Sequence, residues 1–286
     1  MELNDMSATE PVQINQLEAS SPYELRLNQS TNVSESAVKK ALASGDIGFL
    51  HSFTTGSTVD GPGVRVVAWT AGCQFRCVYC HNPDTWSLSN GMPVSIDRAV
   101  AELKKYRYGL TVMSGGFTLS GGEPLMQDRF AARLFAAARG LGIHTALDTN
   151  GLLGDRLTDQ ELENIDLVLL DIKSWDPERH QRLTGKENGP TLDFARRLAA
   201  RKRPIWLRFV LVPGWSDDFD DIAQLARFAG SLGNVERVDV LPFHQLGKFK
   251  WKELKLDYQL ENTTPPNREL LERTLAQFRA EGLKAV

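Results

Sequence analysis

The segment Gly72–Thr85, GCQFRCVYCHNPDT, holds all three cysteines of the chain, Cys73, Cys77 and Cys80. Thiolates spaced C-x3-C-x2-C on one short segment can converge on a soft metal centre. The stretch from Cys77 to His81 also matches the C-x-x-C-H pattern of haem attachment, and His81 with the three cysteines could form a zinc site. The spacing therefore predicts a metal-binding loop, with haem, zinc and an iron–sulfur cluster as candidates.

The three candidate centres place different demands on the loop. A structural zinc site is closed by four ligands, and His81 directly follows Cys80, which makes their joint tetrahedral ligation awkward. Haem attachment normally follows export, but the first residues lack the basic and apolar regions of a signal peptide. An iron–sulfur cube normally takes four thiolates. A 4Fe–4S cluster held by three cysteines would therefore leave one iron open to another molecule.

The composition of the 286-residue chain is that of an ordinary folded protein, with 42% hydrophobic residues and a formal net charge of −3. This charge gives no indication of a nucleic-acid or membrane surface. No apolar run reaches the roughly 18 residues that span a bilayer, and three clustered cysteines do not form a disulfide framework. We therefore expect a cytoplasmic protein with one large α/β domain or two small ones.

Residues 1–46 differ in composition from the rest of the chain. Up to residue 44 they contain six acidic and three basic residues, many Ser, Asn and Gln, and one aromatic residue, Tyr23. Such a segment buries too little apolar surface to offset the entropy lost on ordering it. We therefore expect residues 1–46 to be a disordered or loosely attached extension, and residues 47–286 to form the catalytic domain.

From Ile47 onward, short apolar runs alternate with segments of helical spacing. The predicted strands are residues 64–71, 117–120, 143–148, 167–171, 205–212 and 238–242, and the predicted helices are residues 96–106, 130–138, 191–202, 222–232 and 271–278. Alternating β and α units indicate a parallel sheet with right-handed crossovers. Because eight units would close a TIM barrel, six predict an incomplete (β/α)6 TIM-like barrel. An open doubly wound sheet is the alternative.

Polar or turn residues follow every predicted strand, at the end where both architectures place their active sites. The cysteine loop follows the first strand, and Ser120-Gly-Gly-Glu123, Asp148 and Asp171 follow the next three. Residues 213–215 and His244 follow the last two. Each group alone could be ordinary turn chemistry. Their shared position predicts a single site at the carboxyl ends of the strands.

The cysteine loop resembles the signature of the radical S-adenosylmethionine superfamily, and the sequence Gly121-Gly122-Glu123 after the next strand strengthens the match. The resemblance implies a 4Fe–4S cluster on the three cysteines, with its open iron chelated by S-adenosylmethionine. It also implies a reaction in which one electron from the cluster cleaves the sulfonium. The products would be methionine and a 5′-deoxyadenosyl radical, which removes a hydrogen atom from the substrate.

Within that superfamily, residues from about Ile47 to the end resemble the pyruvate formate-lyase-activating enzymes. The matching stretches include Asp60-Gly-Pro-Gly63, Tyr79-Cys-His-Asn82, Asp148-Thr-Asn-Gly151, Val212-Pro-Gly-Trp-Ser-Asp-Asp218 and Leu241-Pro-Phe-His-Gln-Leu-Gly-Lys248. The resemblance implies a glycyl radical installed on pyruvate formate-lyase, in anaerobic metabolism, with flavodoxin or ferredoxin as the electron donor. The alternatives are another glycyl-radical enzyme as client, or a zinc- or haem-bearing binding module.

The resemblance also implies which residues contact the cofactor. Tyr79 would pack near the adenine, Glu123 would accept a hydrogen bond from the methionine amino group, and His244 would bond the ribose or adenine. Gly121 and Gly122 would let the backbone approach that amino group. The full set expected at S-adenosylmethionine is Tyr79, Gly121, Gly122, Glu123, Asp148, Lys173 and His244.

Asp148 and Asp171 end adjacent predicted strands, and their carboxylates would repel each other unless a cation or a proton intervenes. The resemblance implies a monovalent cation, K⁺ or Na⁺, bound by these two residues together with Thr149 and the carbonyl of Leu169. An ion pair between an aspartate and Lys173 is the alternative.

Arg208 lies within an apolar strand, where a charge is costly unless it is paired. Pointing into the site, it could hold the client protein or the cofactor carboxylate. Asp60 could help to hold the client's glycine segment, and a rigid Asp-Gly-Pro-Gly turn is the alternative. Arg208 and Asp60 are therefore predicted to act in catalysis beside the three cysteines.

Overall fold

The computed structural model describes residues 40 and 42–286, and this part of the chain contains one eight-stranded sheet. The strands are β1 (Ile47–Ser57), β2 (Arg65–Thr70), β3 (Met92–Ser95), β4 (Gly116–Gly121), β5 (His144–Thr149), β6 (Leu167–Asp171), β7 (Ile205–Leu211) and β8 (Val235–Pro242). Their spatial order is β3-β1-β2-β4-β5-β6-β7-β8, so the sheet is open, with β3 and β8 at its edges.

Of the helices that follow β3 in the chain, six lie between strands and the last two come after β8. They are α1 (Ile96–Val112), α2 (Asp128–Gly140), α3 (Asp159–Leu162), α4 (Pro177–Thr184), α5 (Gly189–Ala200), α6 (Phe219–Leu232), α7 (Lys248–Glu253) and α8 (Arg268–Ala280). Local signals explain several boundaries. The side chains of Ser95 and Asp218 cap the first turns of α1 and α6. Gly233, in the left-handed conformation with φ 72°, ends α6.

Six strands, β2 and β4 to β8, pair in parallel, which confirms the predicted incomplete barrel of parallel strands. The sequence did not predict β1 and β3, which extend one edge of the sheet in antiparallel pairing. β1 contains the polar residues His51, Ser52, Thr54 and Thr55, and its buried positions do not alternate regularly. β3 has four residues and contains Pro93. Neither strand therefore carries a clear apolar pattern.

The two faces of the parallel strands differ in chemistry, because successive residues of a strand point to opposite faces. The outer face packs against the helices, and Phe117, Leu147, Leu170 and Phe209 are fully buried in this main core. The inner face carries a small apolar cluster, Ala146, Leu167 and Leu169, with Trp206 packed against it. Nearer the carboxyl ends the inner residues are polar, namely Ser120, Asp148, Asp171 and Arg208.

Three short helices, α3, α4 and α7, were also missed by the sequence analysis. They are four, eight and six residues long, which is too short for apolar periodicity to reveal them. α4 does carry local signals: Asp176 caps its first turn, Pro177 begins it, and Gly185 ends it at φ 75°. Among the described residues, no helix combines the length and apolarity needed to cross a membrane.

The predicted disordered extension, residues 1–46, lies outside the described residues except for residues 40 and 42–46. Gly45 is buried against α2, where a Cβ atom would stand 2.6 Å from the backbone of Arg129. The carbonyl of Asp46 accepts a hydrogen bond of 2.9 Å from the backbone N–H of Ile96, and its carboxylate pairs with Arg133. Gly45 and Asp46 therefore contact the domain.

These contacts lead to a prediction about shortened proteins. Because the composition of the first residues predicts little apolar burial, a protein that begins at Lys40 should melt at the same temperature as the full chain. A protein that begins at Ile47 also loses the backbone hydrogen bond to Ile96, and we expect it to melt about 2–4 °C lower. Anaerobic thermal unfolding of the three proteins measures the difference. Equal melting temperatures for the two shortened proteins would contradict a contribution from residues 42–46.

Candidate active site

The cysteine loop leaves the end of β2 and is held by the last turn of α4. The backbone N–H groups of Arg76 and Val78 donate to the carbonyls of Thr184 and Leu183, at 2.8 and 3.0 Å. The guanidinium of Arg76 donates back to the carbonyl of Cys73 at 2.6 Å. The loop is therefore shaped by main-chain hydrogen bonds, and the thiols are free to face the interior.

The three thiols lie in an environment that suppresses their ionisation. Cys73 and Cys77 are buried, Cys80 is partly buried, and all three are free cysteines. Burial raises the pKa of each thiol, that of Cys77 to about 12. A thiolate is stable in such a place only beside a compensating positive charge. Iron or another soft metal ion supplies that charge, because a coordinating thiol is deprotonated outright.

The arrangement of the thiols suits a cluster better than a single ion. A tetrahedral zinc ion with bonds of 2.3 Å would require sulfur atoms only about 3.8 Å apart. Within residues 40 and 42–286, no three His, Cys, Asp or Glu side chains converge on one metal ion. All three cysteines nevertheless line one pocket, which fits an iron–sulfur cube that takes one thiolate per iron. His81, the fourth ligand of the zinc hypothesis, packs its ring against His244, with 5.0 Å between the centroids.

The pocket has a volume of about 310 Å³ and lies at the carboxyl ends of the parallel strands. It brings together nearly all the residues that the sequence predicted for one site. Its predicted members are Cys73, Cys77, Tyr79, Cys80, Gly121, Gly122, Asp148, Thr149, Asp171, Lys173, Arg208 and His244. Glu123, Leu169 and Asp60 are not among the residues that line it.

Among the described residues that line the pocket, three buried polar atoms have no hydrogen-bond partner, namely the hydroxyl of Tyr79, Oδ1 of Asp148 and Nε of Arg208. Unsatisfied buried polar atoms are rare in folded proteins and call for a ligand or water. A hydroxyl group and a carboxylate oxygen suit a ligand that carries both hydroxyl and cationic groups, as S-adenosylmethionine does.

Glycine is required at positions 121 and 122 because neighbouring backbone approaches both residues closely. Gly121 has a φ of 121°, and a Cβ atom there would lie 2.1 Å from the backbone nitrogen of Thr70. At Gly122 a Cβ atom would lie 2.3 Å from the carbonyl oxygen of Gly72, the residue before Cys73. The glycine pair therefore lets the cysteine loop close against the end of β4, besides leaving backbone open to the pocket.

Glu123 has its observed hydrogen bonds within the protein. Its carboxylate is fully buried and accepts three hydrogen bonds, from the hydroxyl of Thr149 and the backbone N–H groups of Asn150 and Leu125. Burial raises the pKa of Glu123 to about 7, and these donors act against that rise. The carboxylate thus ties the end of β4 to the end of β5, and its contact with the methionine amino group stays a prediction.

Arg208 bridges two aspartates across the inner face. Its guanidinium donates to Oδ2 of Asp148 at 3.0 Å and to the carbonyl of Val59 at 2.6 Å, and it lies 3.6 Å from the carboxylate of Asp60. Asp148 also accepts from Ser120 at 2.6 Å. Burial raises the pKa of Asp148 to about 6, although Arg208 opposes the rise.

Asp171 forms the ion pair that the sequence analysis kept as an alternative to a cation. Nζ of Lys173 lies 2.8 Å from its carboxylate, and the same ammonium group lies 5.8 Å from the ring centre of Tyr79. Burial acts to lower the pKa of Lys173, but Asp171, Tyr79 and Cys77 together raise the pKa above its usual value. Each acidic residue expected at the cation, Asp148 and Asp171, is therefore paired with a basic side chain.

The remaining predicted residues lie at the margins of the pocket. The hydroxyl of Thr149 donates to the carboxylate of Glu123 at 2.7 Å. Leu169 is fully buried, and its side chain packs in the small inner cluster. His244 is exposed at the pocket mouth beside His81. Asp60 is buried, with Ser57 donating to its carboxylate at 2.5 Å, as expected of a rigid turn.

A segment after β8 covers the cysteine loop, and the sequence analysis missed it. Nε1 of Trp251, in α7, donates to the carbonyl of Cys80 at 2.9 Å. The neighbouring Lys250 binds the side chains of Asn82 and Asp84, at 2.8 and 2.9 Å. The aromatic and basic run FKWK at 249–252 could have signalled this role, because such residues rarely cluster on a short exposed helix without a packing partner.

The chain matches a known family over more than half of its length. Residues 67–226 fit the family model described as the Radical SAM superfamily. The match includes the cysteine loop and strands β4 to β7, which form most of the pocket. The chain therefore belongs to the radical SAM superfamily, whose cofactors are a 4Fe–4S cluster and S-adenosylmethionine.

Two curated relatives resemble this chain over most of their length. It is 43% identical over 242 residues to the pyruvate formate-lyase 1-activating enzyme of Escherichia coli, across 84% of this chain and 98% of that protein. It is 48% identical over 229 residues to the pyruvate formate-lyase-activating enzyme of Staphylococcus aureus, across 78% of this chain and 91% of that protein.

The fold also resembles that of solved structures. A radical SAM methyltransferase from Sphaerobacter thermophilus superposes with a TM-score of 0.58, across 92% of this chain and 75% of that chain. Because the two sequences are 17% identical, this likeness concerns the fold alone.

The glycine geometry gives a prediction for cluster binding. Gly122→Ala would place a methyl group against the carbonyl of Gly72 and displace the start of the cysteine loop. We expect the anaerobically reconstituted variant to hold several-fold less iron than the parent protein. Gly140→Ala is the matched control, because no atom lies within 4 Å of the added Cβ. Full iron content in Gly122→Ala would contradict the close approach of the two segments.

Proposed function

We propose that the chain activates pyruvate formate-lyase by generating a glycyl radical on it. The main support for this proposal is the C-x3-C-x2-C loop, whose three thiols share one pocket with Gly121, Gly122 and the unpartnered polar atoms of Tyr79 and Asp148. The 43% identity to the Escherichia coli relative, over 98% of that protein, supports the choice of client. Another glycyl-radical enzyme as client is the alternative, with the same chemistry.

When bound, the 4Fe–4S cluster and S-adenosylmethionine would supply reductive cleavage to methionine and a 5′-deoxyadenosyl radical that removes a hydrogen atom from the client's glycine. The residues of the chain would hold, orient and shield these groups. Cys73, Cys77 and Cys80 would bind the cluster. The buried walls of the pocket would exclude water and so limit side reactions of a radical.

The cofactor would be oriented by residues of several strand ends. Gly121 and Gly122 would present backbone to the methionine end, and Asp148 would offer its unpartnered Oδ1 to a cationic group. Tyr79, with its ring on the pocket wall and a free hydroxyl, would pack against the adenine or ribose. His244, at the mouth, would contact the outer end of the nucleoside.

The charge balance of the inner face supports a monovalent cation in the same pocket. Three carboxylates, those of Asp60, Asp148 and Asp171, face two basic side chains, Arg208 and Lys173. This group therefore carries one excess negative charge, which K⁺ or Na⁺ would neutralise. We propose that Asp148 and Asp171 bind this cation, with Thr149 and the Leu169 carbonyl completing the site.

The electron would come from flavodoxin or ferredoxin. Cys80 is the most exposed of the three thiols, and its carbonyl is bonded to Trp251 of the surface helix α7. A donor protein that approaches α7 would therefore come near the cluster without obstructing the mouth of the pocket. Small, transient interfaces are typical of such electron-transfer encounters.

The client's glycine segment would contact Arg208 and Asp60. These residues form one connected group with Val59, in the turn between β1 and β2. Val59 is 73% exposed, so the turn reaches solvent while Asp60 stays buried beneath it. An incoming peptide would contact this turn. Its polar groups would replace the Val59 carbonyl and the Asp60 carboxylate as partners of Arg208.

The cysteine assignment gives a direct test of the proposed function. Anaerobic mixtures of the reconstituted protein, S-adenosylmethionine, dithionite and pyruvate formate-lyase should produce a glycyl radical that is visible by spin resonance. Cys73→Ala, Cys77→Ala and Cys80→Ala should each abolish both the radical and the cleavage of S-adenosylmethionine, because each change removes one of only three ligands. Full activity in any variant would contradict the cluster assignment. Cofactor cleavage without a client radical would point to another glycyl-radical enzyme.

The Asp60 assignment gives a prediction that separates client binding from cofactor binding. Asp60→Asn removes a charge near Arg208 but leaves the bond from Arg208 to Asp148. We expect at least a tenfold lower radical yield on the client, while the spectral change of the cluster on addition of S-adenosylmethionine persists. Ser57→Ala is the control for turn rigidity, because it removes the hydroxyl that donates to Asp60. An equal loss in both variants would assign Asp60 to the turn and not to the client.

A further inference from the structure

Asn150 lies at the end of β5, lines the pocket, and directs its side-chain amide at one of the three cysteines. Its Nδ2 is 3.9 Å from Sγ of Cys73, within reach of an N–H···S hydrogen bond. We propose that this hydrogen bond makes the cluster easier to reduce, so that Asn150 sets the potential at which the enzyme can accept its electron. The inference depends on the proposed cluster, but it does not depend on which client is activated.

The orientation of the amide is decided by its other partners. Oδ1 of Asn150 accepts from the backbone N–H of Leu152 at 3.1 Å and from the Gln74 side chain at 3.0 Å. A backbone N–H can only donate, so the atom facing Leu152 must be the oxygen. The opposite atom, which faces Cys73, is therefore the NH₂ group. The contact with Leu152 is an ordinary Asx turn, but the turn does not account for the donor on the cysteine side.

Asn150 is also held rigidly through its backbone. Its N–H donates to Glu123 at 2.8 Å, and its carbonyl accepts from the hydroxyl of Thr191 at 2.7 Å. The residue is 6% exposed, so water does not compete for the amide. A donor fixed on every side does not need to reorganise when the charge on its partner changes.

A donor in this position affects the two oxidation states unequally. Reduction adds one negative charge to a cluster, and part of that charge resides on the sulfur ligands. A hydrogen bond to such a sulfur therefore stabilises the reduced state more than the oxidised state, and raises the reduction potential. In the described part of the chain, the Asn150 amide donates to Cys73 and to no other cysteine. Removing the amide should therefore shift the reduction potential of the cluster without removing one of its ligands.

The test uses two variants and one control. Asn150→Ala removes the whole amide and is the decisive variant, and Asn150→Asp keeps the acceptor for Leu152 but replaces the donor with a negative charge that also disfavours reduction. Thr191→Val removes the bond to the Asn150 carbonyl and leaves the side chain untouched. Each anaerobically reconstituted protein is titrated with dithionite in the absence of S-adenosylmethionine, and the reduced cluster is followed by spin resonance.

We expect the equilibrium constant for reduction to fall about three- to tenfold in both Asn150 variants, where tenfold corresponds to about 59 mV for one electron. The Thr191→Val protein should keep the parent potential. The proposal would be overturned if Asn150→Ala or Asn150→Asp had the same reduction potential as the parent protein. An equal shift of the reduction potential in Thr191→Val would also overturn it. If neither Asn150 variant assembles a cluster while Thr191→Val does, Asn150 is an assembly residue and the tuning role is also wrong. Failure of the parent protein itself to assemble a 4Fe–4S cluster would instead refute the proposed function.

Discussion

The buried carboxylate of Glu123 holds together the two strand ends on which the pocket is built. It accepts from Thr149 and Asn150 after β5 and from Leu125 in its own loop, with distances between 2.7 and 2.9 Å. Its backbone N–H donates to the carbonyl of Gly72, immediately before the first cysteine. A carboxylate buried without donors would be very costly. The carboxylate therefore depends on its three donors. Together with the backbone bond to Gly72, these hydrogen bonds fix the cysteine loop relative to the ends of β4 and β5.

A second constraint is the charge of the inner face. In a closed barrel the strand interiors would be filled with apolar side chains, but here the inner face combines a small apolar cluster around Leu167 and Leu169 with charged residues. Nearer the carboxyl ends, Arg208 and Lys173 each pair with an aspartate. Buried ion pairs contribute little net stability, because desolvation offsets most of the attraction. Here the ion pairs position side chains, because each charged group holds its partner in one orientation beside the thiols.

The pocket is completed from outside the parallel strands. The turn at Val59 and Asp60 reaches Arg208 from the antiparallel edge, and α7 reaches Cys80 from beyond β8. Both additions come from segments that the barrel itself does not need. An open barrel leaves its inner face accessible from one end, and the proposed contacts with the client and the electron donor would form at these two segments.

The sequence alone determined the chemistry of the site and the order of its parts. The spacing of Cys73, Cys77 and Cys80 is local along the chain, and β6 was predicted with its observed bounds because a strand buried on both faces is continuously apolar. The rule that parallel strands carry their active site at their carboxyl ends then predicted that the cysteine loop, Gly121, Asp148, Asp171 and His244 meet in one pocket, whereas residues 213–215 and Glu123 do not line it.

Only the tertiary structure decided which polar groups meet. The hydrogen bonds from Thr149 and Asn150 to the Glu123 carboxylate were not predicted, because a sequence does not show which donors surround a carboxylate. The bonds from Arg208 to Val59 and from Trp251 to Cys80 join residues 149 and 171 positions apart. No periodicity or spacing in the chain encodes contacts of this range. They arise when apolar packing brings distant segments together and each buried polar atom takes the partner that is then within reach.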